Sequence, residues 1–499
     1  MDIRAPLSEF RPLRLNKRTI LDNDQFEFLN ERGQLSDWND SSKSKLWLYN
    51  LHYFDDLNSS DAAGRYDVHE VLVDRWIDQN LPSVGNGWEP YPTSLRIVNW
   101  IKWLLATDRV TAKRVASLAL QAKVLSQTLE THLLGNHLFA NAKALLFAGL
   151  YFSGKEANQW LETALKIFEK ELSEQILPDG GNFELSPMYH AIIVADVLDM
   201  VSIMSAYEDP RCDIVLSNCK EVLPKMLQWL EVMTHPDGDV SLFNDAAIGI
   251  APTFKELLNT AANYGINLPP SAPWHLQQLP NSGYFRLDLQ DAVLIGDVAE
   301  VGPDYIPGHA HADTLSFELS IFGRRLLVNS GTSVYGISAE RERQRGTAAH
   351  NTVIIDGENS SEVWSGFRVA RRARPFDLSA DPKGNWLKCS HDGYRRLRAK
   401  PVHTREWSAA DRALVIEDRV VGDCKFAQAR FHIHPDWKVR LQGFEVTCES
   451  ECGVVALTVT KGIPNLEIST YHPKFGVTLT NRVLTVDLQS GAAKLEVTW

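Results

Sequence analysis

Residues 268–280 read Leu-Pro-Pro-Ser-Ala-Pro-Trp-His-Leu-Gln-Gln-Leu-Pro, and the hydrophobic period of the chain changes across them. Pro269, Pro270, Pro273 and Pro280 each fix φ and remove a backbone donor, so no helix or central strand runs through this stretch. Upstream, over about 68–263, apolar residues recur at three and four, as in Leu133, Leu134, Leu138, Ala142, Leu145, Leu146 and Leu150. That spacing predicts helices there and near 94–105, 111–129, 157–172, 189–206 and 213–233. Turn signals such as Pro178-Asp179-Gly180-Gly181 and Pro236-Asp237-Gly238 separate them. Many antiparallel helices in series predict a bundle or toroid. Downstream come short β-rich segments at 283–289, 292–299, 314–322, 352–356, 412–421, 429–434, 454–459 and 494–499. These predict an antiparallel sandwich rather than a parallel sheet. The expected architecture is multidomain, α then β, with a helical domain over 1–275 and a β-sandwich over 280–499.

The totals narrow the function classes. The 499 residues are 44% hydrophobic and 23% charged, enough for at least one large core. A formal net charge of −12 argues against a general nucleic-acid binder, which needs lysine and arginine over a broad face. A polyanionic sugar could still be met by a local basic pocket. The longest apolar run read from the sequence is 144–152, short of the roughly 18 residues of a membrane span, so none is expected. The first thirty residues are broken by charges and proline and lack the apolar core of a secretory leader. The expectation is a cytoplasmic protein, or a periplasmic one where a leader has been removed. Cys212, Cys219, Cys389, Cys424, Cys448 and Cys452 form no Cys-x-x-Cys pair and read as free, mostly buried thiols.

Four clusters place titratable side chains where packing alone would not require them. In Gly135-Asn136-His137, Asn136 is open to reading as a helix N-cap and His137 as a surface residue. In Glu184-Leu185-Ser186-Pro187-Met188-Tyr189-His190, Ser186 and Pro187 form an ordinary helix start, with Tyr189 a packing aromatic. Gly308-His309-Ala310-His311-Ala312-Asp313 sets two histidines on one side of an extended segment, which permits metal binding without requiring it. In the segment from Arg345 to Val353, His350 alone would read as a structural histidine.

Taken in this order, with a helical half before and a β half after, the clusters resemble the heparinase II/III superfamily, which includes related alginate lyases. The likeness is densest from His309 to Arg372, through Gly-His-Ala-His-Ala-Asp, Ser316-Phe317-Glu318-Leu319, Leu327-Val328-Asn329-Ser330-Gly331-Thr332 and Ala349-His350-Asn351-Thr352. It implies a polysaccharide lyase acting on a uronic-acid-containing glycan, of bacterial capsule or O-antigen type, by β-elimination. Such an enzyme removes the weakly acidic C5 proton and expels the C4 oxygen, so donors must first mask the sugar carboxylate. The resemblance gives that role to Asn136 and His137, and acid–base work to Tyr189 and His309. His190, Tyr335 and Arg345 are weaker candidates for positioning the sugar. It also implies a structural zinc ion held by His311, Asn329 and His350, although Asn329 replaces the expected carboxylate. No organic cofactor is implied.

In Gly87-Trp88-Glu89-Pro90-Tyr91-Pro92, Trp88 or Tyr91 could form a sugar platform, and Arg96 could pair with a sugar carboxylate. Their bland alternatives are core packing and a surface ion pair. Two other functions stay open. Glu184, Asp237 and Asp245 could serve a glycoside hydrolase, or the fold could only bind a glycan or a biosynthetic partner. The β half could supply a homodimer surface.

Overall fold

The computed structural model describes residues 1–21, 24–268 and 275–499. Pro269, Pro270 and Pro273 of the expected boundary lie outside the described residues. By contacts the chain forms two compact units that interleave in sequence. One comprises Met1–Ile176, Ile192–Pro224 and Lys255–Asn267, the other Leu177–Ala191, Lys225–Phe254 and Leu268–Trp499.

The first unit is helical. Helices Pro90–Leu105, Ala112–Gln127, Gly135–Tyr151 and Lys155–Gln175 fall where the three-four spacing places them. Thr111 caps one of them, its side chain accepting from the Arg114 N–H at 3.3 Å. Gly135–Tyr151 is buried around most of its circumference, as its run of Ala, Leu and Phe requires. A Cβ on Gly149 would lie 2.6 Å from the Leu161 nitrogen, so glycine there lets this helix approach Lys155–Gln175 closely. Lys102 and Lys143 are buried too, and Asp199 pairs with both while Asp196 adds a second partner for Lys143. The hairpin Gln25–Phe28 with Glu31–Gln34 was not expected. Its turn residues Leu29 and Asn30 both take positive φ without the usual Asn-Gly signal.

Among the described residues, Pro187–Tyr207 is the one helix long and apolar enough to cross a membrane, and 72% of its apolar window is buried, as in a core helix. Asp196 and Asp199 interrupt this helix, so it is not an uninterrupted apolar run although its mean hydropathy is high.

The second unit holds two antiparallel sheets. One has eight strands in the order Pro375–Ala380, Trp386–His391, Val402–Ala410, Ala413–Val421, Ala492–Thr498, Gly453–Lys461, Glu445–Ser450 and Lys438–Gln442. The other has nine, running from Ile463–Tyr471 through Leu479–Asp487, Ala427–Ile433, Arg324–Leu327, Phe317–Ile321, Ala292–Asp297 and Tyr284–Leu289 to Leu276–Leu279, with Val353–Ile355 pairing Ala427–Ile433. Inward residues of both sheets make one core, in which the Trp407 ring meets Phe285 at 5.0 Å and Phe317 at 6.3 Å. Strands Val402–Ala410 and Ala413–Val421 alternate in burial, as a half-exposed sheet does, whereas Ala292–Asp297 is buried on both faces. A second core explains the difference. Val293, Ile295 and Tyr284 pack against Leu185, Trp229, Met233 and Phe243, so segments 177–191 and 225–254 lie on the outer face of the nine-stranded sheet. Those segments carry Tyr189 and Asp245.

Candidate active site

In the second unit, three short segments converge because two of them turn through left-handed residues. Leu185 (φ 58°) reverses the chain before helix Pro187–Tyr207, and Ser186 caps that helix. The Ser186 hydroxyl accepts from the Tyr189 N–H at 3.2 Å and donates to the Asp245 carbonyl at 2.6 Å. Asn244 (φ 55°) makes the second turn. Its amide donates to the Leu185 carbonyl at 2.9 Å, and its Oδ1 accepts from the His311 N–H at 3.0 Å. Strained backbone held by this many bonds fixes side chains where a free loop would not.

Asp245 sits at the centre, fully buried. It meets His309 Nδ1 and His311 Nε2, each at 2.9 Å, and both terminal nitrogens of Arg341. Burial alone would push its carboxyl up. The Arg341 charge and the hydrogen bonds from His309, His311 and Arg341 outweigh burial and hold it well below the usual carboxylate range. An ionised carboxylate only accepts, so His309 Nδ1 carries a proton, and in the neutral ring Nε2 carries the lone pair. That Nε2 lies 3.4 Å from Glu184 Oε2. The Tyr189 ring stands 4.0 Å from the His309 ring, and its hydroxyl is 3.1 Å from that of Tyr335. Burial first, then the Asp245 charge, raises the Tyr335 hydroxyl well above its ordinary value, so Tyr335 stays protonated. The cluster joins a hydroxyl and an imidazole nitrogen, one suited to give a proton and one to take it.

In the first unit, Asn136 and His137 open helix Gly135–Tyr151. Leu134, just before it, has φ 56° and ψ −153°, a region nearly confined to glycine, and Gly135 follows at φ 54°. The helix dipole favours an anion there. His137 Nδ1 lies 3.0 Å from Glu130 Oε1, and Asn141 holds Glu130 by accepting from its backbone N–H and donating to Oε2. The Tyr91 ring is 4.5 Å from His137, so Tyr91 belongs to this rim.

Four candidates are corrected. Trp88 is buried with its ring 5.7 Å from Trp76, a core residue rather than a platform. Arg96 is wholly buried over Trp76 at 3.9 Å, with Nε donating to Gln121, so it offers neither a sugar contact nor a surface ion pair. His190 is wholly buried, donating from Nε2 to the Met226 carbonyl and accepting at Nδ1 from the Asn182 N–H. Arg345 gives its guanidinium to the carbonyls of Ala310 and Gly366, bracing loops instead of a sugar. Asp237, named for hydrolysis, is tied to Arg325. Sequence reading missed the Asp245–Arg341 clamp. The available signal was helical spacing: Arg341 lies one turn before Arg345 on Ala339–Arg345.

The implied zinc set of His311, Asn329 and His350 is buried. His311 and His350 rings are 5.2 Å apart. Burial lowers both imidazoles, His311 to about 4, which keeps them in the neutral, metal-binding form. His311 Nδ1, both ring nitrogens of His350 and Asn329 Nδ2 are buried without a partner in hydrogen-bonding geometry. Two imidazoles and an amide thus fit a divalent ion in kind. Among the described residues no group of three or more His, Cys, Asp or Glu is arranged to hold one, so no anionic ligand joins the set.

Comparison with known proteins agrees with this arrangement of a helical half and a β half. The family descriptions "Heparinase II/III N-terminus" and "Heparinase II/III-like, C-terminal" match residues 77–265 and 271–498. The chain belongs to the heparinase II/III superfamily. It is 26% identical over 321 residues to a heparin-sulfate lyase of Bacteroides stercoris, covering 58% of this chain and 44% of that protein. The chain thus spans less than half the length of that relative. It is 25% identical over 437 residues to FtsZ-localized protein C of Caulobacter vibrioides, covering 79% of this chain and 71% of that one. A crystal structure of heparinase III superposes with a TM-score of 0.73 at 20% identity, covering 92% of this chain and 78% of that one. Heparan sulfate lyase from Pedobacter heparinus gives 0.62 at 17%, covering 95% and 81%. The fold is an N-terminal (α/α) helical toroid followed by a C-terminal antiparallel β-sandwich.

Proposed function

We propose that the protein is a polysaccharide lyase that cleaves an acidic, uronate-containing glycan by β-elimination, with bacterial capsule or O-antigen polymers as its substrate class. One observation carries the proposal: His309 Nδ1 lies 2.9 Å from the Asp245 carboxylate, with its ring against Tyr189. In the reaction His309 Nε2 takes the C5 proton. The electron pair left on C5 forms the C4–C5 double bond, the C4–O4 bond breaks, and the Tyr189 hydroxyl gives its proton to O4. Asn136 and His137 donate to the sugar carboxylate, lowering the cost of charge at C5. A zinc ion held by His311, Asn329 and His350 would brace the segment that carries His309, and it supplies no chemistry of its own. The test is a panel of uronate glycans followed by the ultraviolet absorbance of the conjugated enoate, with Tyr189→Phe as control. A signal that rises and disappears in the variant is expected. Shortened chains without absorbance would instead point to hydrolysis.

A second reading, glycan binding without turnover on the same fold, draws on one finding: the Caulobacter relative, which covers more of both chains than the Bacteroides lyase, is not named as a lyase. In that case binding persists across the panel with neither absorbance nor shortening.

A further inference from the structure

A small hairpin, Glu362–Trp364 paired with Arg368–Ala370, stands beside the Tyr189–His309 cluster in the second unit. Its tip is fixed from below. The Gly366 carbonyl accepts from Arg341 Nε at 3.0 Å and from an Arg345 terminal nitrogen at 2.9 Å, and Arg341 is the same residue that clamps Asp245. Ser365 (φ 46°) and Gly366 (φ 72°) make the turn, and a Cβ on Gly366 would lie 2.8 Å from the Gly336 carbonyl oxygen. Phe367 follows, its ring 6.2 Å from His309 and 5.3 Å from Tyr335. The hairpin is therefore held at its tip, and Phe367 brings it within about one sugar ring of the reacting groups.

Its outer residues have no work inside the protein. Trp364 and Arg368 face each other directly across the hairpin, so both side chains project from the same side of the ribbon. Trp364 is 52% exposed and Arg368 is exposed. Among the described residues neither makes a side-chain hydrogen bond, ion pair or ring contact. The pair offers an exposed indole face beside an exposed guanidinium. It matches a sugar chain, whose apolar ring face stacks on the indole while its carboxylate or sulfate takes the planar fork. The charge is concentrated: Arg368, Arg371, Arg372 and Arg374 fall within seven residues of a chain whose net charge is −12. Arg371 and Arg372 are engaged with Glu362 and Asp304, which leaves Arg368 and Arg374, and of these Arg368 is the one opposite Trp364.

We infer that Trp364 and Arg368 form a subsite for an anionic sugar residue of the glycan, next to the one being cleaved. This rests on the acidic-glycan reading above. It is tested by binding, with turnover removed by Tyr189→Phe in every protein compared. The probes are heparan sulfate, alginate and neutral dextran, titrated at several salt concentrations. Trp364→Ala and Arg368→Glu are compared with the parent, and both should melt with it because both side chains are exposed. The parent is expected to bind at least one of the two polyanions and not dextran. Each substitution is expected to raise the Kd by about five- to tenfold, and Arg368→Glu to flatten the salt dependence as well. Equal binding by parent and variants, no binding of either polyanion by the parent, or dextran bound as well as the polyanions overturns the inference. Loss of polyanion binding in the variants, with no enoate from the protein carrying Tyr189, would remove the lyase reading and leave the subsite standing.

Discussion

Two histidines in this protein are held by the same device, and they are held to different degrees. His137 in the helical unit meets Glu130 through Nδ1 at 3.0 Å, and His309 in the β unit meets Asp245 through Nδ1 at 2.9 Å. The first pair is loosely kept: the side chains are 35% and 10% exposed, and Asn141 supplies only neutral hydrogen bonds. The second is 16% and 0% exposed and is neutralised by the buried Arg341 charge. A carboxylate on Nδ1 orients an imidazole in both places. Only at His309 is that carboxylate also paired with a buried cation, which in the proposed reaction suits a group that hands on a proton at a set angle. His137, at a helix start, has in that proposal the slacker task of meeting an anion.

Four results would sharpen or break this contrast. The largest is in turnover: His309→Ala is expected to lower kcat about a thousandfold or more, and His137→Ala about a hundredfold, both read from enoate absorbance. Equal losses would erase the division of labour. Next comes stability. Asp245→Asn leaves Arg341 buried without a counter-charge and should cost about 3–5 kcal/mol in chemical denaturation. Glu130→Gln keeps the shape of a buried side chain whose partner His137 is 35% exposed, and should cost less, about 1 kcal/mol.

The third concerns acid. Each unit also carries a purely structural histidine that donates from Nε2 and accepts at Nδ1: His52 between Trp38 and Trp76, and His190 between Met226 and Asn182. Burial lowers His52 to about 3 and His190 to about 4. Between those values and the ordinary value of about 6.5 the unfolded chain binds more protons than the folded one, so stability rises with pH across the window and is lost on acidification. A proton on Nδ1 would face an N–H donor in both cases. Melting temperature followed from pH 7 to pH 4, with His190→Gln showing a shallower fall than the parent, checks this. Smallest is the metal effect. Chelator should lower the melting temperature of the parent by a few degrees and leave His350→Ala unmoved, with metal content measured on both proteins.

Much of this was legible in the sequence, for a physical reason. Helices such as Gly135–Tyr151 and strands such as Phe317–Ile321 announce themselves by period, and Tyr189, His309 and Asn136 sit in short polar motifs between apolar runs. What escaped depends on long-range geometry. Asp245 reads as one acid in a loop until Arg341, ninety-six residues later, is seen to clamp it. His190, Arg96 and Arg345 carry the side chains of a sugar site, yet each is fully engaged within the core. Strands Val402–Ala410 and Ile463–Tyr471 were missed because charged and apolar residues mix along them, as they do on partly exposed sheets.

The most direct test of elimination is cleavage in water enriched in heavy oxygen, with the products read by mass spectrometry. The account expects fragments whose masses sum to that of the substrate, a double bond at the new non-reducing end and no heavy oxygen gained. One heavy oxygen incorporated at each cut would contradict it and make the enzyme a hydrolase.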